Sequence, residues 1–271
     1  SFGPEDCERN DRFKRLGFNV LQIGGSLFHM DHFVGVNSGT KNPHFKANHA
    51  ELEKIRAMSD IELIGYVNTW PWCHKYTSQY YSEISEGAIR SAKEVMALIP
   101  HTDVFDVGCG VGEWNNGNPK YLGIDYRVKE SDLLFSKDNF REFNLNKEFP
   151  LMSKDTNFSL AICLEVAEHL RPHRAKPLID FLCSLSDTVL FSAAIPYQGG
   201  TGHVNEQWQT YWEKLFNDNG FGAAEKQPEI RNNQNIDLYY RQNIVLYTKG
   251  GKGKVTNFVL PEYYEQIVKG R

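Results

Sequence analysis

Two glutamates and a histidine lie within five consecutive residues of the chain. In "LEVAEHL", residues 164–170, Glu165, Glu168 and His169 are spaced i, i+3 and i+4, so a helical turn would put all three on one face. Carboxylates and an imidazole arranged in this way can bind a metal ion or act as general acid and base. The same residues could also serve only to cap a helix.

A second polar cluster follows a later apolar run. The glycine-rich loop "IPYQGGTGHVNEQW", residues 195–208, carries His203, Asn205 and Glu206. If both apolar runs are parallel strands, the two loops face one cleft. They then offer a mixed oxygen and nitrogen ligand set for a divalent ion such as Mg²⁺ or Mn²⁺, with positions open for substrate oxygens: Glu165, Glu168, His169 and His203. Without a metal, His169 or His203 is the candidate general base.

A glycine loop follows another apolar run. "VFDVGCGVGEW", residues 104–114, contains Asp106, Gly108, Gly110 and Gly112. Glycines there let the backbone turn tightly and approach a ligand closely. The next apolar run ends in Asp125, whose carboxylate could accept hydrogen bonds from both hydroxyls of a ribose. The alternative is a glycine-rich turn beside a surface aspartate.

The segments that must position these residues alternate between strand and helix patterns. Helical spacing predicts helices over 82–99, 174–185 and 205–220, with Pro100 and Gly220 as stops. The alternation predicts an α/β fold with a mainly parallel sheet and helices on both faces, whose ligands lie at the carboxyl ends of the strands. The predicted strands are short apolar runs rich in β-branched residues: 103–108, 121–125, 158–163, 188–194 and 243–249.

These motifs resemble the class I S-adenosylmethionine-dependent methyltransferases over residues 76–270. The resemblance implies a Rossmann-like seven-stranded sheet, with Asp125 on the cofactor's ribose. It places Asn144 of "FNLN" (143–146), at the end of a third strand, near the adenine, and the end of the fourth strand beside the methyl group. One departure is that "NNGNP" cuts short the helix after Gly112. The implied cofactor-binding residues are Asp106, Gly108, Gly110, Gly112, Asp125, Asn144 and Leu164.

The E-x-x-E-H pattern with a downstream histidine is similar to the metal site of small-RNA terminal ribose 2′-O-methyltransferases. Its first part is similar to ubiquinone O-methyltransferases, and both families methylate one oxygen of a vicinal pair. Metal coordination lowers the pKa of an alcohol and fixes it for in-line attack. "GTGHVNEQW" and the late "YYRQN" resemble methyltransferases encoded with glycan-assembly machinery. The resemblance implies Glu165, His169 and His203 as catalytic residues.

The first seventy or so residues have a different texture and resemble the C-terminal part of a GT-A glycosyltransferase. In that resemblance Glu5 or Asp6 is the base and His29 or His32 a metal ligand. The chain has no D-x-D motif and opens on Ser1, which favours a remnant of an upstream glycosyltransferase domain in the same, longer polypeptide. The alternative is a lineage-specific helical extension. We therefore predict an extension over 1–72 and a methyltransferase domain over 73–271.

The composition limits the classes of function that the chain can have. With 271 residues, 41% hydrophobic content and a formal charge of -4, the chain can bury one substantial core but has no basic face for nucleic acid. Five scattered cysteines without C-x-x-C spacing favour a reducing cytoplasm, and no run is long enough to span a membrane. The prediction is an S-adenosylmethionine-dependent O-methyltransferase acting on a sugar hydroxyl. The alternatives are ribose 2′-O-methylation of RNA, or a non-catalytic scaffold for a glycosyltransferase.

Overall fold

The computed structural model describes residues 11–15, 45–67, 78–126, 128–153, 156–200 and 202–269. The chain divides into two compact units, Ser1–Lys75 and Tyr76–Arg271. Glu5, Asp6, His29 and His32 lie outside the described residues, so the glycosyltransferase resemblance of the first unit stays a prediction. No helix of the described segments is long and apolar enough to cross a membrane.

The described part of the first unit is helical. Residues 11–15 form a short helical stretch, followed later by α1 (Phe45–Ala57) and α2 (Asp60–Val67). Ser59 and Glu62 form a capping box at the start of α2, because the Ser59 N–H donates to Glu62 Oε2 at 2.8 Å and the Glu62 N–H donates to Ser59 Oγ at 3.3 Å. This reciprocal pair satisfies N–H groups that have no partner within a helix.

The second unit is built on one seven-stranded sheet. Its strands are β1 (Val104–Val107), β2 (Tyr121–Asp125), β3 (Phe140–Glu142), β4 (Leu160–Leu164), β5 (Thr188–Ser192), β6 (Phe221–Ala223) and β7 (Val245–Lys249). Their order in the sheet is β3-β2-β1-β4-β5-β7-β6. All neighbouring strands run parallel except β7, which is antiparallel to both β5 and β6. The predicted mainly parallel sheet is confirmed.

Helices cover both faces of this sheet, as predicted. The α-helices in the described part of the second unit are α3 (Ser78–Met96), α4 (Ala175–Leu185), α5 (Gln209–Asn217), α6 (Leu238–Asn243) and α7 (Pro261–Lys269). On one face α4 and α5 pack over a cluster that includes Phe105, Leu178 and Trp212. On the other, α3 and α6 pack over a cluster that includes Ala92 and Tyr240.

Several predicted boundaries shift where local geometry overrides the apolar pattern. The third strand is Phe140–Glu142, so residues 143–146 form the turn after it rather than its end. The last strand begins at Val245, because Asn243 ends α6. After Gly112 the chain forms only the 3₁₀ turn Glu113–Asn115, which stops at Asn116 in a left-handed conformation (φ 45°). The short helix expected from "NNGNP" is confirmed.

Candidate active site

The loop after β1 depends on three left-handed glycines. Gly108, Gly110 and Gly112 have φ values of 80°, 55° and 96°, which disfavour a residue with a Cβ. Space is also restricted: a Cβ on Gly108 would lie 2.3 Å from Val166 Cγ2, and one on Gly112 would lie 2.3 Å from Phe135 Cδ1. The glycines are therefore required by the packing of the loop itself.

Asp125 at the end of β2 is held against this loop. Its Oδ2 accepts a hydrogen bond from the Gly110 N–H at 2.7 Å, and its Oδ1 accepts one from the Tyr126 N–H at 2.5 Å. Each carboxylate oxygen has a second lone pair, so two more donors such as ribose hydroxyls can be accommodated. Burial raises the pKa of Asp125 to about 6 despite these two donors.

Two further acids lie below and beside the glycine loop. Asp106 is buried in β1 and accepts a hydrogen bond from the Tyr121 hydroxyl at 2.6 Å. Burial raises the pKa of Asp106 to about 7 and also raises the pKa of Glu113, which accepts a hydrogen bond from Ser85 Oγ at 2.9 Å. Three acids in so confined a space favour a ligand that carries positive charge.

The remaining two residues predicted to bind the cofactor have different surroundings. Asn144 lies in the turn after β3, and its Oδ1 accepts a hydrogen bond from the Asn146 N–H at 3.1 Å. Its side chain therefore stabilises its own turn. Leu164 is buried at the end of β4, opposite Ser192 of β5. Contact of either residue with a cofactor stays a prediction.

The predicted helical face at "LEVAEHL" is wrong. Glu165 has a left-handed backbone (φ 55°), and the helical turn is a 3₁₀ turn that begins only at Ala167. Pairing with β5 explains the difference, because the Glu165 N–H donates to Ser192 O at 3.1 Å and to Ser192 Oγ at 3.0 Å. Glu165 therefore cannot share one regular helical face with Glu168 and His169.

Three of the four predicted metal ligands nevertheless converge. Glu168, His169 and His203 each offer a ligand atom, and these atoms all lie within 4.8 Å of one another. The two imidazole rings are edge to face, with centroids 4.8 Å apart. Glu168 is fully buried, and neither of its carboxylate oxygens has a well-formed hydrogen bond to a described residue, although the backbone of Ala194 is close enough to lower its pKa. A buried carboxylate that is not fully hydrogen-bonded is suited to a cation.

Glu165 lies next to this trio without being part of it. Burial is the main cause that raises the pKa of Glu165; for Glu168, burial and the charge of Glu165 raise the pKa well above its ordinary range. Asn243 Nδ2 donates to Oε1 and Oε2 of Glu165 at 3.0 and 3.2 Å. Glu165 is thus held by an amide, and its position suits it to orient a ligand beside the cluster.

The loop after β5 is organised by Glu206. Its carboxylate accepts hydrogen bonds from the N–H groups of Tyr197 at 2.9 Å and Gly199 at 3.0 Å, and from His203 Nδ1 at 3.0 Å. Because Nδ1 donates to a carboxylate, His203 Nε2 is left as an acceptor or metal ligand. Gly200 packs against this ring, since a Cβ there would lie 2.5 Å from His203 Cε1.

Asn243, the last residue of the "YYRQN" motif, is not among the site residues predicted from the sequence. In the structure it is 3% exposed, ends α6 and bonds Glu165, while Gln198 Oε1 accepts from the same amide at 3.0 Å. Asn243 Oδ1 is buried without a partner among the described residues. The only signal in the sequence was the polar pair Gln242 and Asn243 directly before an apolar strand, which does not reveal the distant partner.

No family model and no curated protein matches the chain. Solved structures with a similar fold include magnesium protoporphyrin IX methyltransferase from Synechocystis PCC 6803 with bound S-adenosylmethionine, at 17% identity and a TM-score of 0.44, covering 71% of this chain and 98% of that one. Human N-acetylserotonin methyltransferase in complex with S-adenosylmethionine is 15% identical, with a TM-score of 0.41 and coverage of 64% and 53%. An O-methyltransferase family protein from Burkholderia thailandensis is 11% identical, with a TM-score of 0.43 and coverage of 68% and 62%.

These neighbours are S-adenosylmethionine-dependent methyltransferases, with O-methyltransferases among them. Likeness at such low identity concerns the fold and not the substrate. The fold is defined by this chain's own sheet, which has seven strands that run parallel except for β7, between β5 and β6. The second unit of this chain has the Rossmann-like fold of the class I methyltransferases.

Proposed function

We propose that this chain is an S-adenosylmethionine-dependent O-methyltransferase acting on a sugar hydroxyl of a glycan. The observation that carries the proposal is one shared edge of the sheet. The glycine loop with Asp125 and the cluster of Glu168, His169 and His203 both follow the carboxyl ends of parallel strands. A cofactor and an acceptor bound there would meet near the end of β4.

The residues around the glycine loop fit the cofactor. Asp125 keeps free lone pairs for the two ribose hydroxyls, and Gly108, Gly110 and Gly112 keep the backbone close to the ligand. Asp106 and Glu113 add negative charge where a positively charged methionine end would lie. S-adenosylmethionine, when bound, supplies the methyl group as an electrophilic sulfonium.

The acceptor side fits a divalent cation. Glu168 and the two histidines would hold the cation. Both carboxylate oxygens of Glu168 are buried without a well-formed hydrogen bond to a described residue. Such a cation lowers the pKa of a coordinated sugar hydroxyl. Glu165, fixed by Asn243, would accept a hydrogen bond from the acceptor and orient it. Glu206 holds His203 in the tautomer that leaves Nε2 available.

The glycan as acceptor is supported by the chemistry of the cluster. A metal held by three side chains leaves positions for two adjacent oxygens, and vicinal hydroxyls are common on sugars. A formal charge of -4 disfavours a long polyanion such as RNA. The upstream glycosyltransferase domain belongs to the same proposal, since it would link the acceptor to a glycan made by the same polypeptide.

The test is methyl transfer from labelled S-adenosylmethionine to a panel of hexose and deoxyhexose glycosides, with ribose-ended RNA alongside. Each reaction is run with and without EDTA. We expect transfer to a glycoside that EDTA abolishes and Mg²⁺ or Mn²⁺ restores.

Other outcomes are informative in different ways. If EDTA does not reduce methyl transfer to the sugar, the proposed metal is contradicted. His169 or His203 would then be the general base. Label on RNA alone would overturn the acceptor class. If no acceptor is methylated, the proposal that the chain is an enzyme is contradicted, and the non-catalytic scaffold is the remaining alternative.

A further inference from the structure

Gln198 links the loop after β5 to the acid that follows β4. Its N–H donates to Ile195 O at 3.0 Å and its Oε1 accepts the Ile195 N–H at 3.0 Å, which closes the turn of residues 195–199. From this turn Nε2 of the same side chain donates to Glu165 Oε2 at 3.4 Å. Gln198 lies in the glycine-rich loop of residues 195–208 but is not among the site residues predicted from the sequence.

The orientation of the Gln198 amide is determined by its partners. Its Oε1 accepts from the Ile195 N–H and, at 3.0 Å, from Asn243 Nδ2. Because both partners are donors, the oxygen must face them, and Nε2 is the atom directed at Glu165. Asn243 Nδ2 also donates to Glu165, so three side chains from three segments form a closed triangle of hydrogen bonds.

The same turn is held on its other side by Glu206. The carboxylate accepts hydrogen bonds from the N–H groups of Tyr197 and Gly199, the residues that flank Gln198 in the turn. It also accepts one from His203 Nδ1. One short turn therefore joins the acid after β4 to a histidine of the predicted metal cluster.

Backbone strain occurs at both ends of this link. Glu165 and Tyr197 have left-handed backbones, with φ values of 55° and 69°. Among the described residues, Asn116 is the one other non-glycine residue with such a backbone. These conformations persist only where the surrounding contacts fix them, and they concentrate at functional sites. The hydrogen bonds of Gln198 lie between the two strained residues.

We propose that Gln198 is a positioning residue, which holds the Glu165 carboxylate in a fixed place relative to the loop that carries His203. It acts through Glu165 and need not touch the acceptor. This inference rests on the proposed function, in which Glu165 orients the acceptor hydroxyl. Orientation of the reacting groups affects the chemical step more than binding of the ground state. Loss of the link should therefore lower kcat and leave the acceptor KM unchanged.

The test is a double-mutant cycle of Gln198→Leu and Glu165→Gln. Values of kcat and acceptor KM are measured with labelled S-adenosylmethionine and the glycoside that the wild-type chain methylates best, and S-adenosylhomocysteine affinity is measured by calorimetry. We expect Gln198→Leu to lower kcat about tenfold, the size of one hydrogen bond to a charged group, and to leave the other two quantities unchanged. In the Glu165→Gln background the same substitution should change kcat less than about twofold, because the acid that it positions is absent.

Gln207→Leu is the matched control. Gln207 is a half-buried glutamine of the same loop, and its Nε2 donates to Asn205 Oδ1 at 3.1 Å rather than to an acid. The control should match the wild type in kcat, acceptor KM and S-adenosylhomocysteine affinity.

Three results would overturn the role of Gln198 while the methyltransferase stands. One is a wild-type kcat in Gln198→Leu. Another is an equal loss of kcat with and without Glu165, which would show that Gln198 acts independently of that acid. The third is a loss of S-adenosylhomocysteine affinity, which would indicate a structural role. A wild-type chain that methylates no acceptor would instead overturn the proposed function, and this inference with it.

Discussion

Asn243 Nδ2 lies 3.0 Å from Oε1 and 3.2 Å from Oε2 of Glu165, so one amide holds the acid that follows the fourth strand. The pair joins two segments that are 78 residues apart in sequence. It also explains how a left-handed glutamate is kept in place, since such a backbone is disfavoured and persists only when its surroundings fix it.

Replacing that amide by an acid should be strongly destabilising. Asn243→Asp puts a second carboxylate, at a position that is itself buried, against the half-buried Glu165. We expect the free energy of unfolding at neutral pH to fall by about 3 kcal/mol. Asn219→Asp is the matched control, because Asn219 Nδ2 donates to the partly exposed Asp180 at 2.8 Å. The control should lose less than about 1 kcal/mol. Equal losses in urea unfolding would contradict the burial argument.

Substitutions at two glycines distinguish the cost of a left-handed backbone from the cost of steric crowding. Gly108 and Gly117 have similar φ values of 80° and 76°, but a Cβ meets Val166 at 2.3 Å in the first case and nothing within 4 Å in the second. Gly117→Ala should lower the free energy of unfolding by about 1 kcal/mol, the cost of a left-handed alanine. Gly108→Ala should lose at least twice as much and also weaken cofactor binding. Indistinguishable unfolding curves would show that the loop relaxes around the added methyl group.

Cofactor affinity should depend on pH. The pKa values of Asp125 and Asp106 are raised to about 6 and about 7, so both acids become protonated as the pH falls through that range. Because S-adenosylmethionine brings donors and positive charge, it binds the ionised acids better, and its affinity should fall below neutral pH. Calorimetry at a series of pH values checks this, and an affinity that is constant or rises on acidification would contradict it.

Glu168→Gln should raise the stability of the fold at alkaline pH and weaken metal binding. The raised pKa of Glu168 means that its contribution to stability declines as the pH rises above the ordinary carboxyl range. Glutamine cannot ionise, so we expect the variant to be more stable by about 1–2 kcal/mol at alkaline pH, measured by urea unfolding. The exposed Glu229→Gln is the control and should unfold like the wild type at every pH.

The same Glu168→Gln variant should bind Mn²⁺ at least tenfold more weakly in calorimetry, roughly the loss expected for one charged ligand. Glu229→Gln should bind Mn²⁺ like the wild type. If Glu168→Gln were less stable than the wild type and bound Mn²⁺ equally well, Glu168 would be a structural acid.

The fold could be predicted because each of its signals is local. The run ending in Asp125 and the glycine loop from Gly108 to Gly112 lie within segments whose periodicity and turn chemistry are readable directly. For the same reason the sequence "NNGNP" predicts that the helix after Gly112 is short.

The site was less predictable because its geometry is set by distant partners. The helical spacing of Glu165 and Glu168 was overridden by Ser192, which draws the Glu165 backbone into pairing with β5. Asn243 reaches Glu165 only because α6 ends beside the end of β4. Such contacts arise from the topology of the sheet and have no signature in either segment alone.

The central claim is that the glycine loop and Asp125 bind S-adenosylmethionine. It is tested most directly by calorimetric titration of the wild-type chain, Asp125→Asn and the exposed control Asp138→Asn. We predict one site in the wild type and the control, and an affinity about 10–100-fold lower in Asp125→Asn, since hydrogen bonds to a charged group are lost. Absence of binding by the wild type, or equal affinity in Asp125→Asn, would contradict the account.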